Sequence, residues 1–510
     1  MEGRSPANDR EDYTQDGTVD IKGKPVLRSE TGRWKACSFI GMGLLTLAVS
    51  VTGLKPPSCG GAKIGLVCDK HVSSFQKGIF YFSLYIIAIG AGGTKPNIST
   101  MGADQFDDLE PNERKQKLSF FNWWMFSIFF GTLFANSVVV YIQDKVGWSV
   151  GYGLPTAGLA LSIMVFLAGT PFYRHKLPGG SPFTTIVQVL VAAVRKWNLR
   201  VPNDPKELHE LSSEEYSKLA RSRIDHTASM SFLDRAAVKS TRSCSPWMLC
   251  PVTQVEQTKQ IMKMLPVLAV TLVPSAMIAQ ANTLFLKQGT TMDRNMGPHF
   301  KIPPAGLGTF VTIAMLISLV VYDLLFVPAV RRYTKNPRGI SLLQRMGIGL
   351  VLHIIVMIIC FLTERKRLSV AREHNRSKIT DIVPISIFVL LPQFILMGIA
   401  DTFVEVAKLE FFYDQAPEGM KSLGTSYFST SLGIGNFLST FLLTTVTNIT
   451  SAHGHQGWVR SNLNVSHLDY YFAFLAILNF LNFLAFLLVA KWFVYSKKYS
   501  PETSPQERFN

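Results

Sequence analysis

The sequence predicts an all-α membrane protein, a helical bundle built in two halves. Three observations carry that reading. Of 510 residues, 47% are hydrophobic and only 17% are charged, whereas soluble proteins carry about 25% charged residues. The apolar residues form about ten runs of roughly 20, the length at which a helix crosses the hydrocarbon core of a bilayer. One long polar stretch then divides those runs into a group of four and a group of six. A β-barrel is excluded, because its strands are only about 10 residues long and alternate strictly. The net charge of +16 does not point to nucleic acid. The basic residues sit between the apolar runs and form no single patch, so no nucleic-acid partner is expected.

In chain order, residues 1–35 form a polar tail with acids and bases in balance, and lack the short apolar stretch of a cleavable signal. The first half-bundle, 36–170, holds spans at 36–54, 78–96, 118–142 and 151–170. A central loop follows at 171–257, rich in charge (Lys206, Glu207, Glu214, Glu215, Arg221, Arg223) and with room for short amphipathic helices. The second half-bundle, 258–495, holds spans at 258–281, 304–330, 342–361, 384–405, 423–447 and 470–494, and a tail at 496–510 closes the chain. Two half-bundles joined by a loop are the layout of secondary transporters, whose halves rock about a site near the midplane. An even number of spans places both ends on one side. The Lys and Arg excess in the tails and central loop makes that side the cytosolic one, although the basic loop 363–381 then falls outside.

Most remaining cations lie in the first or last turn of a span, where Lys259 and Lys263 can snorkel to the membrane surface. Lys95 has no such exit, coming late in an apolar run and just before Pro96. A charge inside the bilayer costs about 2.5–3.5 kcal/mol or more and marks function. The second half carries Asp323 and Asp401 inside spans, with Glu405 one turn beyond the latter. Lys95 and Asp401 both lie about seventeen residues into their runs, hence at one depth at about 1.5 Å per residue. The expected arrangement is an ion pair between the halves that protonation breaks, with Asp323 as the second choice of partner.

Other signals are weaker. The Gly90–Gly93 run lacks the Lys-Ser/Thr of a phosphate loop and suits close helix packing. His353, in mid-span, could relay protons, but with no acid nearby on its own helix it is expected to pack or to make an interhelical hydrogen bond. The six Cys show no metal-ligand spacing, and neither metal nor cofactor is expected. Cys59 and Cys68 share a predicted outer loop where a disulfide is possible. Asn448-Ile-Thr450 and Asn464-Val-Ser466 fit glycosylation sequons in an outer loop.

Several stretches name a family. They are Gly90-Ala-Gly-Gly-Thr-Lys-Pro-Asn-Ile-Ser-Thr-Met-Gly-Ala-Asp-Gln-Phe106, Phe120-Phe-Asn-Trp-Trp-Met-Phe-Ser127, Asn336-Pro-Arg-Gly-Ile-Ser-Leu-Leu-Gln-Arg-Met-Gly347 and Leu409-Glu-Phe-Phe-Tyr-Asp-Gln-Ala-Pro-Glu-Gly-Met-Lys-Ser422. Together they resemble the plant nitrate and peptide transporter family, the plant branch of the proton-dependent oligopeptide transporters of the major facilitator superfamily. The stretches Asp12-Tyr-Thr-Gln-Asp-Gly-Thr-Val-Asp20 and Gly32-Arg-Trp-Lys-Ala-Cys37 resemble its peptide-transporter-like subgroup. The resemblance implies proton-coupled symport of small peptides or another small solute across the plasma or vacuolar membrane. By the same resemblance, Lys95 and Asp401 serve coupling, while Gln280 and, more weakly, Asn282 line the cavity; Glu405, one turn beyond Asp401, is a further candidate for the cavity from its position alone. Ile278 stands where nitrate-transporting members place a His, which argues against nitrate by that route.

Members of the family have twelve spans. Here Trp34-Lys-Ala-Cys-Ser-Phe39, which resembles the lead-in to the first, runs directly into Gly41-Met-Gly-Leu-Leu-Thr-Leu47, which resembles the late part of the third. The resemblance therefore implies that two spans are missing, together with the Glu-x-x-Glu-Arg coupling signature. Glu110-Pro-Asn-Glu-Arg114 repeats that spacing, but with Pro inside it and no apolar flanks it is a coincidence. An alternative follows: a transport-defective short form that associates with, or interferes with, a complete transporter.

Overall fold

The computed structural model describes residues 73–493, apart from 108–109, 175–180, 213–214, 217–222, 240–244, 298–299, 303, 335, 337 and 453–456. The predicted span 36–54, both tails, and Cys59 and Cys68 lie outside the described residues. Among those described, nine helical segments are long and apolar enough to cross a bilayer. They are α1 (Ser74–Ala103), α2 (Gln116–Gln143, helical from Pro111), α3 (Trp148–Phe172), α5 (Val252–Thr290), α6 (Gly308–Thr334), α7 (Leu342–Glu373), α8 (Ile387–Gln415), α9 (Lys421–Ser451) and α10 (Leu468–Trp492). A shorter helix, α4 (Pro182–Arg195), lies in the central linker. Each of the nine falls on a predicted run.

Local chemistry sets the starts. Ser73 with Gln76, and Ser341 with Gln344, form capping boxes that satisfy the first free N–H groups of α1 and α7. Gly147, at φ +133°, turns the chain between α2 and α3 in a conformation that L side chains avoid. In the second half, small residues bring helix backbones together. A Cβ on Gly349 would meet Val404 on α8 at 2.5 Å, and one on Gly435 would meet Ser275 on α5 at 2.5 Å. Without a hydrophobic drive between helices in lipid, such close contact is what holds them. Two helices carry π-helical turns: Ala135–Val139 in α2 and Tyr322–Phe326 in α6.

The bundle has two distinguishable ends. The side-chain amide of Gln105, just after α1, donates to the backbone carbonyl of Arg174 and accepts from its N–H, just after α3, so both helices finish at the end that carries the linker. There Arg174 also holds Glu113 at 2.7 Å. Burial raises the Glu113 carboxyl, but the Arg174 hydrogen bond and the Asp107 N–H outweigh it and hold the pKa below the usual value. Glu113 thus anchors a turn, in keeping with the coincidental reading of its motif. At the opposite end, β1 (Met292–Asp293) pairs in parallel with β4 (Val383–Ser386), and β2 (Asn295–Met296) pairs with β3 (Phe300–Lys301).

Four expectations need correction here. The linker is not merely a polar loop, because Val189, Ala192, Leu208, Leu233, Cys250 and Val255 form a small buried core between α4 and the start of α5. Lys259 does not snorkel. It is fully buried and bridges Asp234 (2.7 Å) and Glu256 (2.6 Å), which fastens the linker to α5. The predicted basic loop at 363–381 is helical as far as Glu373, and it buries Glu364 and Arg367 completely. α8 likewise continues beyond 405 to Gln415.

The two sequons separate. Asn448 is exposed on the last turns of α9. Asn464 is buried: its amide donates to the Lys378 and Asp381 carbonyls, and its Oδ1 accepts from Arg367. A glycan on Asn464 would take one of its two amide hydrogens and have to fit a side chain that is already buried. Glycosidase treatment is expected to leave the mobility of the Asn448→Gln variant unchanged, and a residual shift would place sugar on Asn464.

Candidate functional site

The halves meet through side chains near the linker end. The hydroxyls of Thr100 on α1 and Thr425 on α9 lie 2.9 Å apart, and Thr425 also donates to the Pro96 carbonyl at 3.0 Å. The Tyr413 hydroxyl donates to Asp104 at 2.9 Å. Asp323, within the π turn of α6, accepts from three α2 side chains: Ser119 (2.6 Å), Asn122 (2.8 Å) and Trp123 (3.0 Å). Arg345 on α7 is 2% exposed, donates to the Asn122 carbonyl oxygen at 3.0 Å and lies 3.8 Å over the Tyr322 ring. Arginine suits such a place because its planar, weakly hydrated cation both stacks and donates.

A second set of polar groups runs through the interior of the second half. His353 on α7 and Asp401 on α8 are 2.9 Å apart, with exposures of 0% and 1%. One turn along α8, Glu405 pairs with Lys408 at 2.7 Å, and Lys408 donates to Ser275 on α5 at 3.0 Å. Gln280 donates to Ser439 on α9 at 2.9 Å and leaves its own carbonyl oxygen without a partner among the described residues. Gln280, Asp401 and Glu405 are thus gathered inside one half-bundle. Asn282, two residues beyond Gln280 on α5, is exposed, unlike the three buried groups.

The expected Lys95–Asp401 pair is not formed. Lys95 is exposed on α1 with no ion-pair partner among the described residues, while Asp401 is held by His353 from within its own half. Asp323 is no substitute, because α2 side chains take up its carboxylate. Depth along a helix can be counted from the sequence, but the direction in which a side chain points cannot. Sequence reasoning also missed Arg345, Asn122 and the Glu364–Arg367 pair. For the last, and for Glu405 with Lys408, the signal was present as opposite charges three residues apart on a helix.

One His–Asp–Glu group has the spacing of a metal site: His226, Asp234 and Glu256 in the linker. The Lys259 ammonium already lies against both carboxylates. The local positive charge is therefore supplied by the chain itself.

With this geometry in place, comparisons with known proteins become informative. A family model described as the POT family matches residues 35–459. Protein NRT1/PTR FAMILY 5.2 of Arabidopsis thaliana is 51% identical, with 98% of each chain covered. Protein NRT1/PTR FAMILY 5.3 of the same plant is 49% identical, covering 98% of this chain and 97% of its own. The first alignment runs over 572 positions against 510 residues here, so at least 62 positions (572 minus 510) of the relative face a gap. Among solved structures, an auto-inhibited POT family peptide transporter shares the fold at TM-score 0.57 and 20% identity, covering 83% of this chain and 80% of its own. The POT family transporter PepTSo does so at 0.55 and 18%, covering 89% and 82%. These likenesses account for the two-half bundle, the apolar helices and the absence of any expected catalytic cluster: the chain belongs to the POT family and is a multi-pass integral membrane transporter, not an enzyme.

Proposed function

We propose that the chain moves small peptides or another small solute together with protons, through a cavity between its half-bundles, with its linker end in the cytosol. The observation that carries this reading is Asp401. It is a carboxylate enclosed in an apolar helix, where a charge is costly enough to be kept only for use. The geometry around it supplies what coupling needs. Its bond to His353 is exchangeable, Lys95 on the facing half has no ion-pair partner among the described residues, and Gln280 offers a free carbonyl oxygen to a substrate amide. The bonds between the halves at the linker end correspond to a state closed toward the cytosol. The peptide as substrate class is supported by the printed description of the structural relative as a peptide transporter. The relatives and solved structures, which cover most of both chains, do not support the alternative of a transport-defective short form.

The decisive measurement is uptake of labelled dipeptides into cells or proteoliposomes containing the purified chain. Uptake is expected to rise about tenfold as external pH falls from 7.5 to 5.5, in keeping with a group that titrates in that window, and to collapse when a protonophore is added. Dipeptide uptake that ignores the proton gradient would remove the coupling. No uptake of any dipeptide, with the protein folded in the membrane, would overturn peptides as the substrate class.

A further inference from the structure

We infer that His353 is the alternate partner of Asp401, a positioning residue that holds the carboxylate in its own half whenever Lys95 does not. The inference rests on the symport reading above and adds a residue to it. His353 Nε2 lies 2.9 Å from Asp401 Oδ1, and both side chains are almost wholly buried. The other ring nitrogen, Nδ1, is buried with no hydrogen-bond partner among the described residues. A neutral imidazole donating from Nε2 to the carboxylate leaves the pair with one negative charge. A proton arriving at Nδ1 makes the pair neutral without breaking its hydrogen bond, and its loss restores the single negative charge. Imidazole is the side chain suited to this, since its ordinary titration falls between about pH 5 and 8.

Other charges lie close enough to feel the pair. Glu405 and Lys408, one turn along α8, pair with each other at 2.7 Å, and Lys408 donates to Ser275 on α5. With those two charges paired, a proton gained by His353 or Asp401 changes the net charge of the group by one. In the negative state the carboxylate attracts the Lys95 ammonium of the other half, and Lys95 competes with the imidazole for it. In the neutral state it has no such pull, so the halves are free to part. One proton taken up per neutral pair, and one released per negative pair, is what a coupled cycle requires.

The test uses the full-length protein in lipid nanodiscs and proteoliposomes. The infrared carboxyl band that disappears in Asp401→Asn is expected to shift in His353→Gln, which keeps an N–H donor but cannot titrate. In the same variant the ratio of uptake at pH 5.5 to uptake at pH 7.5 is expected to fall about fivefold, because the titrating ring is gone. Surface abundance and size-exclusion elution of the variant should match wild type and so report a folded protein. An unmoved carboxyl band, or a moved band with an unchanged pH ratio, overturns the role of His353 while leaving symport in place. A moved band in a wild-type protein that shows no proton-dependent uptake supports the pairing and overturns the symport reading instead.

Discussion

Asp401→Asn is expected to lower proton-driven uptake by about 100-fold, with surface abundance little changed. The substitution keeps the size of the side chain and an oxygen that can accept from His353, so folding is spared. What it removes is the charge. An intramembrane charge represents about 2.5–3.5 kcal/mol, and each 1.36 kcal/mol is about tenfold in rate, which gives the two orders of magnitude. Lys95→Ala should do the same from the facing half, whereas Asp401→Glu should be tolerated because it keeps the charge on a longer arm. The measurement is initial uptake under an imposed proton gradient, normalised to protein at the surface. Accumulation by Asp401→Asn at the wild-type level would show that the coupling proton travels elsewhere.

The second large effect is on assembly. Arg367→Met should leave little folded protein in the membrane, because Arg367 is the hub of the end opposite the linker. It grips Glu364 through Nε at 2.8 Å and Nη2 at 2.6 Å, and reaches Thr291, Asn464 and the Leu463 carbonyl at 2.8–3.0 Å. Gln288 completes the set by donating to Glu364 at 2.7 Å. Both charged side chains are fully buried, and removing one partner of such a pair costs about 3–5 kcal/mol because the other charge is stranded. That is a large share of a stability margin of about 5–15 kcal/mol. Replacing both, as Glu364→Gln with Arg367→Met, removes the stranded charge and should recover much of the monodisperse protein seen by size-exclusion chromatography. If the single variant folds as well as wild type, the network is decoration.

The bundle was largely legible in the sequence, and the physical reason is simple. Crossing a bilayer imposes a length on apolar runs, and length survives without knowledge of neighbours. The linker core was not legible, because Val189, Leu208, Leu233 and Val255 are scattered among charges and meet only once the chain has folded back on α5. At the site, Asp401, Glu405 and Gln280 were identifiable as polar groups in apolar surroundings, but their partners were not. His353 was read from its own helix alone, where no acid lies near it. Its acid is on α8, and only the packing of α7 on α8 reveals the pair. Glu364 and Arg367 were hidden for the opposite reason, since they stand in a stretch so charged that it read as solvated loop.

The π turn at Tyr322–Phe326 has a consequence for how this chain can change over evolutionary time. Such a turn holds about one residue more than the α-helical turn it replaces, and each residue rotates a helix by about 100°. A deletion of one residue within 322–326 would restore a regular helix and swing the rest of α6 by that angle, carrying Asp323 away from Ser119, Asn122 and Trp123 or turning Arg331 and Arg332 toward a different face. Loops absorb insertions and deletions freely, but here the residue count itself is under constraint. The identities are less so. Leu324 and Leu325, 55% and 65% exposed on the outer surface of the bundle, can drift among apolar types, so this segment should vary in spelling while staying fixed in length.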